Sequence, residues 1–340
     1  MNGSFVFIAF TGSPVSYVDL AGVPILIGFG IAEFVLNMIV LSAMTLDVLD
    51  QDVSNYFIIN LALADGLIGV VVVYNGLYTL LEWKDIHECL LRFGIVNGFN
   101  VASVLNIALL TIDKFIKIKY PFKYYHYITP NRAKVTTLIV WLFALTISVL
   151  PAAGWSNIGE EWSHCAFFDV MSRSYLITSI LIYCVPFIVI VTLYPQMCSL
   201  ARRHALAIQS QTRLYIHRKG TWRFVKPVGL IVGIYVICWL PVGTYLILVL
   251  ADRKTVELSG VDMGTILAFS AGIGSLNSLF NPIIYAAKIP AVSRQFKRVC
   301  CCCCWRVPFI QSNAYSSMHV STASIQTGIS RHSSEQLDQC

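Results

Sequence analysis

Residues 53–81 read VSNYFIINLALADGLIGVVVVYNGLYTLL, with a single charge, Asp65. A helix needs about 20 apolar residues to cross roughly 30 Å of hydrocarbon, so this stretch is long enough to span a bilayer. A carboxylate inside such a segment is expensive and marks a functional position by default. The pattern repeats along the chain. Residues 20–46 carry one charge, Glu33, and residues 93–112, 135–159, 174–201, 227–251 and 263–287 carry none. Backbone groups in lipid must be satisfied within the segment, so each of the seven crossings is expected to be a helix. A membrane β-barrel would show alternating segments of about ten residues, unlike these long apolar runs. The expected fold is an all-α membrane protein, a seven-transmembrane helix bundle.

Composition agrees. Of 340 residues, 56% are apolar and 12% are charged, about half the usual charged share. That excludes a disordered chain, a nucleic-acid arm and a typical cytosolic enzyme. Nineteen of the 24 lysines and arginines fall between spans three and four, between spans five and six, or after span seven. The positive-inside rule puts these stretches in the cytoplasm and the N-terminus outside. The net charge of +6 is then a property of the cytoplasmic face, with membrane lipid and not nucleic acid as its neighbour. The expected organisation is an extracellular N-terminus (1–19), a seven-helix domain (20–287), an amphipathic membrane-surface helix (288–300) and a mostly disordered cytoplasmic tail (301–340). No cleavable signal peptide is evident, because no basic residue precedes the short apolar run Phe5–Phe10. Ile289, Val292, Phe296 and Val299 recur at near-helical spacing among basic residues, which motivates the surface helix. The loop between spans five and six is expected over about 205–216.

The cysteines divide in two. Cys89 and Cys165 both fall on the expected outer, oxidising side and are expected to form a disulfide. Cys300, Cys301, Cys302, Cys303 and Cys304 follow the surface helix on the inner side. A zinc site would want spaced ligands and returning partners, so palmitoylation is the better reading.

The chain resembles the rhodopsin-like (class A) G-protein-coupled receptors over about residues 20–300. The landmarks occur in order: Asn37 in span one, Asn60 and Asp65 in span two, Cys89 and Asp113-Lys114-Phe115 in span three, Trp141 in span four. Pro186 and Tyr194 follow in span five, Cys238-Trp239-Leu240-Pro241 in span six, and Asn281-Pro282-Ile283-Ile284-Tyr285 in span seven. The resemblance implies a plasma-membrane receptor. Extracellular ligand would bind between the helices, and outward movement of span six would activate a heterotrimeric G protein. It implies an activation switch at Asp113, Lys114, Tyr194, Trp239, Pro241, Asn281, Pro282 and Tyr285. It also implies an ion pocket of Asp65, Ser103, Asn277 and Asn281, where sodium would act as an allosteric ligand; no other cofactor is expected. Glu33, four residues before Asn37, puts a second acid on the same helix face near that pocket.

By family position the ligand-binding residues are Asn75, Val96, Asn97, Asn100, Phe167, Phe168, Thr178, Trp239, Val242, Leu246, Ala271 and Ser275. Arg92 joins them as an outer cation able to hold an anionic group. The loop Cys165-Ala166-Phe167-Phe168-Asp169-Val170 and the stretch Tyr120-Pro121-Phe122-Lys123-Tyr124 resemble adenosine receptors. The span-six Asn and His of those receptors are replaced by Leu246 and Gly243. Phe168 stands where their loop acid sits, unless Asp169 takes that role. Adenosine itself is therefore disfavoured. Val96 offers no carboxylate to an ammonium, so a monoamine is disfavoured too. A small molecule or a short peptide fits best.

Lys114 is the main departure, since the family carries Arg there and Lys lacks its planar fork of donors. Thr221 also stands where many relatives carry an acid that pairs with that Arg. A non-signalling or scaffold seven-helix protein is therefore the alternative reading. A transporter or channel would need a polar path through the membrane, whereas the polar residues here gather in one core. No nucleophile–base set, phosphate loop or zinc motif supports an enzyme.

Overall fold

The computed structural model describes residues 5–6, 14–15, 17–46, 52–81, 85–158, 165, 167–211, 222–253, 256 and 263–300. Seven long helices dominate: helix one (Tyr17–Leu46), two (Ser54–Leu81), three (Ile86–Lys119), four (Pro130–Val149), five (Arg173–Gln211), six (Trp222–Ala251) and seven (Met263–Lys288). Among the described residues, six of them are long and apolar enough to cross a membrane. Helix seven has one basic residue, Lys288, in its last turn. Phe5–Val6 pairs antiparallel with Pro14–Val15. A surface helix, Pro290–Cys300, follows helix seven.

The helix ends depart from the apolar runs for local reasons. Helix three starts at Ile86, because Asp85 caps it by accepting a 2.8 Å bond from the Glu88 N–H. It continues through the charged turns that an apolar count leaves out. Helix four stops at Val149, although the apolar run continues to 159. Pro151 cannot donate to a continuing helix, and Gly154 at φ 108° takes a left-handed turn that a side chain would resist. Helix five runs through Ala205, Leu206 and Ala207, good helix formers, to Gln211. The expected loop at 205–216 is thus helical over its first part. Thr221 lies outside the described residues, as do the tail from 301 and the side chain of Cys300.

Each helix packs on its chain neighbour from one to four, helix five packs on three and six, and helix seven closes against six and one. The large apolar cluster at the basic end includes Phe57, Leu61, Ile107, Met197 and Tyr285. A second, at the disulfide end, holds Tyr78, Phe93, Phe168 and Tyr245. Large apolar side chains also face outward, Leu138 and Ile139 on helix four, Val185 on five and Ile237 on six among them. A bundle apolar outside as well as inside is built for lipid. Within the surface helix Val292 is fully buried and Phe296 packs against the core, as does Ile289 just before it, while Val299 is exposed.

Candidate functional site

Three groups of side chains carry chemistry. The first is a cavity of about 360 Å³ between the helices, within the range of small-molecule sites. Asn75, Val96, Asn97, Asn100, Phe167, Trp239, Val242, Leu246, Ala271 and Ser275 line it, as their family positions imply. Arg92, Phe168, Asp169 and Thr178 are not part of that lining. Arg92 is buried behind it. Its guanidinium donates to Glu88 (3.0 Å), to Asn75 Oδ1 (2.7 Å) and to Cys165 Sγ (3.0 Å), and lies 4.0 Å from the Tyr78 ring centroid. Phe168 packs edge-on against Phe167 and Tyr245. Asp169 points to solvent and pairs with Arg253 at 2.9 Å.

The polar atoms of the cavity wall are largely spoken for. Asn97 Nδ2 donates to the Tyr175 hydroxyl (2.8 Å) and to Ser179 Oγ (2.9 Å), and Tyr183 donates back to Asn97 Oδ1 (3.1 Å). Asn100 Nδ2 is bonded to the Val96 carbonyl (2.8 Å). Among the described residues no charged side chain lines the space. Trp239 stacks on Tyr183, their centroids 5.8 Å apart and their planes 22° off parallel. The sequence reading missed Tyr183. A tyrosine in an apolar helix gives no signal until the partner helix is known.

At the disulfide end, Cys89 and Cys165 are bonded as expected, their Cα atoms 6.0 Å apart. The bond ties the short helix Phe167–Val170 to helix three, and Phe167 meets Phe93 edge-on at 5.3 Å. Arg253 at the end of helix six holds the same segment through Asp169 and the Phe168 carbonyl.

The second group is the polar core. Asp65 is fully buried. Its Oδ1 accepts from Ser103 (2.7 Å) and Ser278 (3.0 Å), and its Oδ2 from Asn281 (2.8 Å). Asn277 is buried nearby without bonding Asp65, and Asn37 donates to the carbonyls of Glu33 and Ser278. Glu33 is brought in by a close crossing of helices one and two. Cβ atoms at Gly30 and Gly69 would each strike the other's carbonyl, at 2.7 and 2.6 Å. Only glycine permits that approach, and it sets Glu33 against the helix that carries Asp65. Both Glu33 oxygens are buried without a donor, as are the Oδ1 atoms of Asn37, Asn277 and Asn281. Unsatisfied hard oxygen acceptors fit a hard cation such as the sodium ion the resemblance implies.

The third group is at the basic end. Asp113 accepts from the Tyr124 hydroxyl (2.6 Å) and from Ser54, with Lys114 Nζ 3.4 Å away. Lys114 also donates to Ser54 Oγ, and Lys117 pairs with Asp52. The Ser54 hydroxyl reaches Asp52 as well, so its one proton serves one acid at a time. Burial works against the Asp52 charge, but Lys114 and Lys117 hold its carboxyl below the ordinary value. Burial, with the bond to Asp113, pushes the Tyr124 hydroxyl up. Lys114 is thus turned toward helix two. Of the other switch residues, Tyr194 rests its hydroxyl on Gly229, Tyr285 is buried, and helices six and seven continue through Pro241 and Pro282.

Comparison with known proteins agrees with this architecture. Residues 36–285 match the 7 transmembrane receptor (rhodopsin family), and the chain belongs to that family. It is a multi-pass membrane protein of the receptor class, related to the adenosine receptors, and not an enzyme. The human (Homo sapiens) adenosine receptor A2a is 26% identical over 285 residues, which cover 77% of this chain and 68% of that receptor. The chicken (Gallus gallus) adenosine receptor A2b is 24% identical over 287 residues, 77% of this chain and 83% of the relative. The rabbit (Oryctolagus cuniculus) alpha-1A adrenergic receptor is 26% identical over 293 residues, 73% of this chain and 60% of the relative.

Proposed function

We propose that the protein is a plasma-membrane receptor whose disulfide end faces outward. A neutral, mostly apolar small molecule binds in the cavity, and a heterotrimeric G protein couples at the basic end when helix six swings outward. The observation that carries this reading is the cavity wall. It has no charge, and its amides are engaged by tyrosine and serine hydroxyls, a backbone carbonyl and Arg92, so it rewards burial of apolar surface and gives little to an ion. Leu246 and Gly243 line it and offer a purine no polar grip. Trp239 and Tyr183 form one stacked unit on helices six and five, so a ligand that moves Trp239 biases the helix pair that must part.

At the basic end Phe122 is fully exposed beside Lys123 and Lys119. With Tyr120, Tyr125 and Tyr127 also exposed, this aromatic stretch among lysines supports a docking point for the G protein. The Asp65 core is a site for a hard cation, with Ser103 and Asn281 orienting the carboxylate. Cys300–Cys304 would anchor the start of the tail through palmitoyl chains.

The test is agonist-independent dissociation of each G-protein class in cells expressing the chain, beside an empty vector. A basal signal weakened by Phe122→Ala is expected, with no response to adenosine. A saturable adenosine response abolished by Phe167→Ala would overturn the apolar-ligand reading. Lys114 engaged with Ser54 and Asp113 favours the second reading, a non-signalling seven-helix protein. Silence in every class, with coupling restored by Lys114→Arg, would establish it.

A further inference from the structure

The cavity wall is divided by chemistry. Its amides, Asn75, Asn97 and Asn100, come from helices two and three. Helices five and six supply Ile180, Cys184 and Phe187, and Leu240, Gly243 and Ile247. Each set recurs every three or four residues, so it forms one stripe along its helix. The two stripes lie at the edge of the bundle. Leu240 is 61% and Ile247 54% exposed, and Cys184 and Phe187 are exposed as well. A cavity this small cannot supply so much open surface to single side chains. The same side chains therefore border the cavity and face the surrounding lipid. Gly243 stands between Leu240 and Ile247 on its stripe, and a Cβ there would meet nothing within 4 Å. The cavity thus opens sideways, between helices five and six, onto hydrocarbon. Beyond Ile247, helix six leads to Arg253 and its exposed pair with Asp169.

We infer that the cavity takes an uncharged lipid with one hydrocarbon chain and a hydroxyl-bearing head, the head against Asn97 and Asn100 and the chain leaving through the seam between helices five and six into the bilayer. The inference rests on the apolar-ligand reading of the cavity and names the class of ligand. An opening onto hydrocarbon costs an apolar chain nothing, whereas a polar group placed there would lose its partners. A phospholipid head carries charge, and among the described residues the wall has no charged side chain to answer it. A volume of about 360 Å³ has room for one small head and the start of one chain, and the rest of the chain stays in the bilayer. Asn100 gives its NH₂ to the Val96 carbonyl and so keeps its amide oxygen for a hydroxyl donor.

The experiment uses the full chain in phosphatidylcholine nanodiscs and a photoactivatable probe, hexadecanol carrying a mid-chain diazirine and a terminal alkyne. After irradiation, the labelled peptides are identified by mass spectrometry. Insertion is expected to saturate and to map to residues 184–187 and 240–247. Hexadecanol should displace the probe, and hexadecyltrimethylammonium should not. Filling the seam with Gly243→Phe should lower insertion by about tenfold or more, while bromobenzene still raises the melting temperature of that variant. Insertion into helices one and seven, or insertion unchanged by Gly243→Phe, would overturn the inference. Equal displacement by the cationic amphiphile would overturn the uncharged head. No saturable insertion, with bromobenzene still raising the wild-type melting temperature saturably, would overturn the lipid class and leave the apolar-ligand reading standing. No response to either probe would overturn both. If Gly243→Phe does not fold, or loses the bromobenzene response as well, the peptides labelled in the wild type decide.

Discussion

The acid at the basic end and the acid at the centre of the bundle are alike in burial and opposite in completion. Asp113 has a tyrosine hydroxyl on one oxygen, a serine on the other and an ammonium alongside. Asp65 has three neutral donors, with a second acid beside it that has none. The first centre is closed by residues of this chain. The second leaves acceptors open among residues of this chain. A buried charge with partners supports the fold, while one without them is held there for another use.

Substitutions can break that contrast. The largest effect is expected from Asp113→Ala, which strands Tyr124 and the Lys114 ammonium and should cost about 3 kcal/mol in thermal unfolding of the detergent-solubilised protein. A loss of only a few tenths would mean that the basic-end network is incidental. Glu33→Gln in chelator-treated, low-salt buffer should act with the opposite sign. It replaces a buried acid whose oxygens have no donor by an amide that can donate to the orphan oxygens, a gain of about 1 kcal/mol. Destabilisation there would show Glu33 already satisfied. Ser54→Ala should cost about 1 kcal/mol, as one shared hydroxyl is lost while Tyr124 and Lys114 remain on Asp113.

The smallest effect belongs to the Lys117–Asp52 pair, whose side chains are 25% and 27% exposed. Lys117→Met should cost less than about 1 kcal/mol, a value to be read from paired melts in low and high salt. Because the fold lowers the Asp52 carboxyl, its contribution is present above the unfolded-state value and disappears as the pH falls through the lower folded one. The difference between wild type and Lys117→Met should therefore stay constant above about pH 5 and shrink progressively as the pH falls below about 4 toward the lowered folded value.

Much of this was legible beforehand, and the exceptions share a cause. Long apolar runs disclose helices because lipid leaves the backbone no alternative, so all seven were readable. Their ends were not, because Asp85, Pro151 and Gly154 act through caps and turns that an apolar count ignores. Ten of the cavity residues follow from family position. Arg92 pointed the other way. An arginine near a helix end reads as an outward cation, and only the folded chain shows Asn75, Glu88 and Tyr78 surrounding it. Ser278 and Ser54 were missed because a serine in a helix carries no signal apart from its neighbours. The meaning of Gly30 and Gly69 appears only once each is seen to face the other across two helices.

The segment over the cavity is fastened unequally. On the side of helix three it is covalent, through Cys89 and Cys165, while on the side of helix six it is held by Asp169 and Arg253, whose side chains are 48% and 45% exposed. It is a door with a fixed hinge and a loose latch. The latch is made of exposed charges, so salt weakens it while leaving the hinge and the apolar wall unchanged. Ionic strength should therefore set how quickly a neutral ligand enters and leaves, with little change in how tightly it binds once inside.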